Sequence, residues 1–294
     1  MDRRSYQSKF EERLLERWKK PIDLFELLLA VCLEAGAELN DEYRPEASRS
    51  NDYVFHVLTG LHARGCQIAC EILALLKSGL ADGAHARWRT LHEIAVISYF
   101  TKDHGQDVAK RYLEYGIVET FEDAREYQKH CREIGYEPFT DKEMKVIQER
   151  YDSVIGVYGK EFGEHYGWIP RKILSTRNFA EIEKSQKFDR LRPYYKWACH
   201  GVHSGPKSIS TKLGLMKTAY QNPVLLADPS NFGLADPGQS AAISLCQITV
   251  CLLSTKPTIE RAAEMMAIER LTEEISSVFC DVQKEIEREE EIRK

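Results

Sequence analysis

The chain has 294 residues, of which 43% are hydrophobic and 30% are charged. This balance is typical of a globular protein and excludes a largely disordered one, and the length suffices for one large domain or two smaller ones. The formal net charge of −5 excludes a generally basic protein. Contact with a nucleic acid would therefore require a local basic surface.

The N-terminal region has the periodicity of helices. A first helix is indicated by the shared apolar face of Phe10, Leu14, Leu15 and Trp18. Pro21 then opens a second helix that extends to Leu39. The polar segment Asn40–Ser50 contains Pro45 and is predicted to be a connection.

Two long helices follow and are joined by a short turn. Asn51-Asp52 predicts the N-cap of a helix that reaches Lys77, and Ser78-Gly79 ends it. After Asp82-Gly83, the next helix is predicted for Ala84–Thr101. Helices joined by so short a turn pack antiparallel. We therefore predict an all-α fold, a multi-helix bundle around this central antiparallel helical hairpin, with a helical arm.

The arm is predicted from two further helices, Asp107–Ile134 and Thr140–His165, which are rich in Tyr, Glu and Lys. Thr140 and Glu143 have the spacing of a capping box at the start of the second helix. The next segment, 168–185, has few periodic apolar positions and is predicted to be less regular.

The C-terminal half begins with a short helix predicted for Asp189–Ser204. The region Gly205–Gly238 is irregular, and a loop of this length is expected to be functional or mobile. Two helices complete the chain, Pro237–Ser254 and the segment from Thr258 onward. The predicted organisation is N-terminal helices in 1–50, a main helical domain in 51–255 with a projecting arm in 107–168, and a C-terminal helix in 256–294.

No segment has the character of a secretory signal or a membrane span. Residues 1–6 lack an apolar core, and the most apolar stretch, 241–253, is too short to cross a bilayer. The eight cysteines form no C-x-x-C motif. We expect them to be small buried hydrophobes in a reducing compartment, with no bound metal or other cofactor. These features predict a cytoplasmic protein.

The second hairpin helix carries a cluster of reactive side chains on one face: His85, Arg89, His92 and Glu93. Core-type residues share this face, so the cluster must be paired or face a cavity. In a cleft, Glu93 would orient a partner, His92 would move a proton and Arg89 would bind an anion. The alternative is a structural Arg89–Glu93 ion pair beside a hydrogen-bonded His92.

A second cluster lies on the helix predicted for Asp189–Ser204. One face carries only cations and imidazoles, at spacings of four, four and three: Arg192, Lys196, His200 and His203. Such a face suits a phosphate or another anion. The alternative is an exposed basic face on a helix that merely docks through Tyr194, Tyr195 and Trp197.

These two helices resemble a bacterial all-helical family that is catalogued only as of unknown function. The resemblance rests on an R-x-L-x-E helix, Arg89 to Glu93, and on a later Tyr…His helix, Tyr195 to His203. It extends over residues 53–254.

A looser resemblance is to HEPN-type helical proteins, whose catalytic members carry R-x(4–6)-H. Arg87 and His92 have this spacing, although they point about 140° apart on an ideal helix. The resemblance implies metal-independent RNA cleavage in toxin or phage-defence settings.

Two hypotheses follow. In the first, the chain is a metal-independent ribonuclease in which His92 and His203 share acid and base catalysis. Its catalytic residues are Arg89, His92, Glu93 and His203. Its substrate-binding residues are Arg87, Arg192, Tyr195, Lys196 and His200.

In the second hypothesis, the chain is a non-catalytic helical module that binds a partner protein, a nucleotide or a nucleic acid. Convergence of Arg89, Glu93 and His203 in one pocket would favour catalysis, and their separation would favour the module. The expected partners are RNA or another phosphate-bearing ligand, a second copy of the chain or a partner protein, and no membrane.

Overall fold

A computed structural model describes residues 2–203, 205–210, 212–215 and 225–292. Within these ranges the regular structure is entirely helical, and nine α-helices pack around one hydrophobic core. The predicted all-α multi-helix bundle is therefore confirmed. In chain order the helices are α1 (Arg3–Ser50), α2 (Tyr53–Lys77), α3 (Ala81–His130), α4 (Asp141–Tyr158), α5 (Phe179–Ser185), α6 (Arg192–Val202), α7 (Lys207–Ser210), α8 (Ala235–Leu253) and α9 (Ile259–Ile292).

The α2–α3 hairpin lies at the centre of the bundle. The Asp52 side chain caps α2 by accepting a hydrogen bond from the backbone N–H of Phe55 at 3.1 Å. At the turn, Gly79 has a φ of 70°, and a Cβ there would lie 2.8 Å from the carbonyl oxygen of Ser230. The turn therefore requires glycine, both for its conformation and for its close packing. Helix α8 packs against both hairpin helices.

Helix α1 is continuous over Arg3–Ser50, so the predicted break at Pro21 and the predicted connection at Asn40–Ser50 are both wrong. A proline inside a helix costs about 3 kcal/mol, because it removes a hydrogen bond and crowds the preceding turn. Tertiary packing offsets this cost, since Pro21 is itself buried and Ala47, beyond Pro45, is only 2% exposed. Burial of one face against α2, α8 and α9 thus keeps the helix intact.

Helix α3 combines two helices that the sequence predicted separately, Ala84–Thr101 and Asp107–Ile134. They meet at Gly105, whose φ of 72° and ψ of −159° are largely restricted to glycine. Buried residues occur on both sides of this break, at Thr101 and Val108. The two helices are therefore separated by a single residue rather than by a loop.

The segment predicted as an arm consists of the C-terminal half of α3 together with α4. The predicted capping box is present, because Thr140 and Glu143 each accept a hydrogen bond from the backbone of the other. Helix α4 ends at Tyr158, earlier than the predicted His165. Its C-cap is Gly159, with a φ of 85°, and a short 3₁₀ turn follows.

The predicted irregular region Gly205–Gly238 contains the short helix α7 and the start of α8. Residues 211 and 216–224 of this region lie outside the described residues, so its mobility stays a prediction.

None of the described helices is both long and apolar enough to span a bilayer. All eight cysteines are described and none forms a disulfide. Five of them are buried: Cys32, Cys66, Cys131, Cys246 and Cys251.

Besides His92, which is described below, two histidines are enclosed in the core, His62 with 4% and His85 with 3% of its surface exposed. The Nε2 of His62 lies 3.2 Å from the Thr249 hydroxyl, and the His85 ring stacks on Trp88. Burial lowers the pKa of each imidazole from 6.5 to about 4. Between about pH 4 and pH 6.5, these two imidazoles bind protons in the unfolded chain but not in the folded chain. The stability that is present above pH 6.5 is therefore lost as the pH falls.

We expect the free energy of unfolding to fall by roughly 3 kcal/mol per buried histidine between pH 7 and pH 4, because of this pKa difference. The His85→Phe variant keeps an aromatic ring on Trp88 and removes one of the two titrations. Between pH 7 and pH 4, the free energy of unfolding of this variant should therefore fall by about 3 kcal/mol less than that of the unmodified chain. Urea unfolding at a series of pH values tests this, with His130→Phe as the surface control. An unchanged pH dependence in His85→Phe would contradict the assignment.

Candidate functional site

The two helices that carry the predicted clusters pack against each other, α6 along α3. The Tyr195 hydroxyl donates a hydrogen bond to Oε1 of Glu93 at 2.5 Å and accepts one from Nε of Arg89 at 3.0 Å. The same Nε lies 3.0 Å from Oε1 of Glu93. Burial and the hydrogen bond to Glu93 raise the pKa of Tyr195, so its hydroxyl remains a donor at neutral pH. We call these three residues the tyrosine network.

A second network surrounds Glu183 of α5. Its Oε1 accepts a hydrogen bond from Nε2 of His92 at 2.8 Å, and its Oε2 accepts one from Nη1 of Arg192 at 2.9 Å. An ionised carboxylate can only accept, so Nε2 of His92 carries the hydrogen. The side chains of His92 and Glu183 are both 0% exposed, so neither can contact a ligand in this conformation. We call these three residues the buried network.

The aromatic ring of Tyr195 lies between the two networks. Its centroid is 5.3 Å from Cζ of Arg89 and 5.1 Å from Cζ of Arg192, distances typical of cation–π contacts. Both arginine side chains remain partly exposed, at 28% for Arg89 and 30% for Arg192. Two cations are thus held at the protein surface by the same buried ring.

Two residues of this site were missed in the sequence, Glu183 and Tyr166. The region of α5 was predicted to be irregular, but Asn178 caps this helix by accepting a hydrogen bond from the N–H of Glu181 at 3.0 Å. The Asn178-to-Glu181 spacing was a usable local signal for a helix start. Tyr166 has a φ of 55°, and its pKa is raised by burial and then by the charge of Glu93. No sequence pattern indicates that Tyr166 belongs here.

Arg87 points away from both networks. Its Nε donates a hydrogen bond to Glu71 of α2, and its Nη1 lies 3.3 Å from the Thr90 hydroxyl. His92 is instead directed at Glu183 in the interior. The R-x(4)-H spacing therefore does not bring Arg87 and His92 together, and the predicted substrate-binding role of Arg87 has no support in the geometry.

His203 lies far from the tyrosine network, because α6 runs antiparallel to α3. A Cβ at Gly201 would be 3.3 Å from Cβ of Ala86 and 3.6 Å from the carbonyl oxygen of Asp82. Glu93 follows Asp82 by eleven residues, which corresponds to about 16 Å along a helix. His203 is exposed at the end of α6 that lies near Asp82 and Ala86, away from Glu93. The convergence required by the ribonuclease hypothesis is not formed.

The remaining predicted residues of α6 have different surroundings. Lys196 is exposed, whereas His200 borders a cavity of about 10 Å³, enough for one water molecule at most. The same cavity is lined by His85 and Trp197. The buried Nε2 of His85 has no hydrogen-bond partner among the described residues.

A larger groove, of about 990 Å³, lies between the start of α1 and the α2–α3 turn. Arg3, Arg4 and Lys212 line it, and none of the predicted site residues does. Across the described ranges, no three His, Cys, Asp or Glu side chains are arranged to hold a metal ion.

The surface around α5 and α6 is locally basic. Residues 179–203, which span α5 and α6, contain five Lys or Arg and three acidic residues, Glu181, Glu183 and Asp189, in a chain whose net charge is −5. Arg192 is bound by Glu183, whereas the other four cations are exposed and form no ion pair with any described residue. These four residues, named here the α5–α6 basic surface, are Lys184, Lys187, Arg190 and Lys196.

The fold is all-helical across the described residues, and a polar network joins the central hairpin to a short later helix. Residues 55–218 match the family model described as Family of unknown function (DUF5677). This range is more than half of the chain, so the chain belongs to that family. It includes most of the hairpin, the arm and α6, in agreement with the resemblance seen in the sequence. Comparisons with curated proteins and with solved structures gave no match.

The structure identifies Glu183 as the carboxylate whose loss should be most costly. In Glu183→Gln, His92 and Arg192 lose a buried charged partner, and we expect the free energy of unfolding to fall by about 3 kcal/mol. Glu93→Gln should cost clearly less, since Glu93 and Arg89 are both partly exposed to water. Urea unfolding of both variants tests this order, with Glu287→Gln as the surface control. Equal losses for Glu183→Gln and Glu287→Gln would contradict it.

Proposed function

We propose that the chain binds a phosphate-bearing ligand, RNA in the first place, across the α5–α6 basic surface. The observation that carries this proposal is local: four exposed cations without ion-pair partners among the described residues, on a chain that is acidic overall. Phosphate groups are bound by Lys and Arg in this way, and the release of counterions drives the association. A general excess of positive charge is not needed where cations lie close together, and these four lie within thirteen residues of the chain.

The tyrosine network and the buried network support the proposal by holding two further cations beside this surface. Arg89 uses its Nε for Glu93 and Tyr195, and Arg192 uses one Nη for Glu183. Each guanidinium group has five N–H donors, so donors remain for a phosphate oxygen. Because the neighbouring groups already fix both guanidinium positions, binding would require little additional ordering of these side chains.

The enclosure of His92 and Glu183 supports a positioning role for both rather than a chemical one. Both side chains are enclosed, and Glu183 fixes the position of Arg192. The separation of His203 from Glu93 likewise favours a binding module over an enzyme that uses these residues together. Binding is therefore the function that the arrangement supports best.

Replacing two cations of the surface should weaken RNA binding and its dependence on salt. For Arg190→Ala combined with Lys196→Ala, we expect the slope of log affinity against log salt concentration to decrease by about 1.4, which is about 0.7 per lost phosphate contact. The matched control is Arg132→Ala combined with Lys142→Ala, which removes the same charge from exposed positions outside the site. Fluorescence anisotropy with labelled RNA at several salt concentrations measures both variants.

Equal effects of the two double variants would show that only net charge matters. Absence of RNA binding by the unmodified chain at low salt would also contradict the proposal. Because all four residues are exposed, circular dichroism should show the same helical spectrum for every variant.

A second candidate is metal-independent RNA cleavage, which the exposure of His203 favours. His203 follows Lys196 by seven residues, so both lie on one side of α6. Its imidazole would accept the proton of a ribose 2′-hydroxyl as that oxygen attacks phosphorus. The 5′-oxygen would leave with a proton from water, giving a 2′,3′-cyclic phosphate and a free 5′-hydroxyl.

If this candidate is correct, RNA is cleaved in the presence of EDTA, and His203→Ala lowers the rate by about 10²-fold or more while RNA binding persists. His130→Ala, at the end of α3, is the control. Gel analysis of labelled RNA gives the rate and the ends formed. RNA that is bound but remains intact would eliminate this candidate and leave the binding function in place.

A further inference from the structure

Adjacent tyrosines of α6 have opposite environments. Tyr195 is 6% exposed and is held in the tyrosine network, whereas Tyr194 is 42% exposed. Successive residues of a helix point about 100° apart, so the two rings cannot share one environment. Within the described part of the chain, the Tyr194 ring has neither a hydrogen bond nor an aromatic or cation–π contact. A large, rigid aromatic surface is therefore presented to solvent on this helix.

The position of Tyr194 relates it to the α5–α6 basic surface. It precedes Trp197 by three residues, the spacing of neighbours on a helix surface, and it follows by four residues Arg190, which lies in a short 3₁₀ turn before α6. Trp197 is half-buried, with its ring 5.7 Å from that of His85. Tyr194 thus lies close in the chain to an exposed cation and about one helical turn before Trp197.

We infer that Tyr194 stacks against an unpaired base, so that the nucleic acid bound at the α5–α6 basic surface is single-stranded. This inference rests on the proposed function and specifies its ligand. Proteins usually bind single strands through two features. Cations follow the phosphate backbone, and aromatic rings stack on the bases. In a duplex the base faces are already stacked on each other and are not accessible to a side chain.

The site would be tolerant of sequence, because every base has a face that can stack. The strength of binding would depend on whether bases are free to leave their own stacks. Flexible single strands rich in pyrimidines should therefore bind more tightly than strands rich in stacked purines.

The test compares short single-stranded and duplex RNA of the same sequence by fluorescence anisotropy. For Tyr194→Leu we expect the affinity for the single strand to fall by about 5- to 150-fold, and the affinity for the duplex to change little. Tyr194→Phe keeps the ring and should bind as the unmodified chain does. Tyr136→Leu, at an exposed tyrosine between α3 and α4 (64% exposed), is the matched control.

The inference is overturned if Tyr194→Leu leaves single-strand binding unchanged, or if it weakens single-strand and duplex binding equally. The Arg190→Ala, Lys196→Ala double variant is measured in parallel. If that variant loses binding while Tyr194→Leu does not, the proposed function holds without base stacking. If neither variant differs from its control, both proposals fail.

Discussion

A single buried carboxylate, that of Glu183, joins the three helices of the candidate site. An ionised carboxylate in the interior is unfavourable unless charged or hydrogen-bonding partners satisfy it. Here the partners come from two other helices, His92 from α3 and Arg192 from α6. Helix α5 has only seven residues, too few to be stable alone, so this pairing and the burial of its apolar side chains keep it in place. The hydrogen bond to Glu183 holds Arg192 in place, and Arg192 in turn contacts the Tyr195 ring.

The site separates buried polar groups from exposed cations. The imidazoles of His85 and His92 and the carboxylate of Glu183 lie inside, whereas the unpaired cations of the α5–α6 basic surface lie outside. Buried groups of this kind hold the neighbouring side chains in fixed positions. Exterior cations attract an anion but cannot by themselves move a proton. An arrangement of this type suits recognition better than acid–base chemistry.

The sequence predicted the central features of the fold, because they depend on local signals. The cap at Asp52, the glycine at position 79 and the capping box at Thr140 are each determined by neighbouring residues. The continuity of α1 through Pro21 and Pro45 was not predictable, since it depends on burial against other helices. Local propensity is a weak guide wherever tertiary packing opposes it.

The candidate site was predictable only in part, for the same reason. Spacing along α3 correctly placed Arg89 near Glu93, which is a contact within one helix. The pairing of His92 with Glu183 joins residues that are 91 positions apart, and no pattern in either segment indicates it. The sequence alone does not reveal this partner, so it predicts a reactive role for His92. In the structure His92 is buried and hydrogen-bonded to Glu183.

The break at Gly105 makes the direction of the arm depend on one residue. Apart from the backbone of the surrounding helix, no atom of the described residues lies within 4 Å of the position that a Cβ would occupy there, so a side chain would meet no steric obstacle from neighbouring elements. The only obstacle is the backbone conformation, which costs a residue other than glycine on the order of 1–3 kcal/mol. Relief of that strain would favour a straight helix through position 105. A straight helix would in turn pull Gln106 away from Asp52, the N-cap of α2, to which its side chain donates a hydrogen bond at 2.8 Å, so a substitution at position 105 would oppose the backbone strain to the contacts between arm and hairpin.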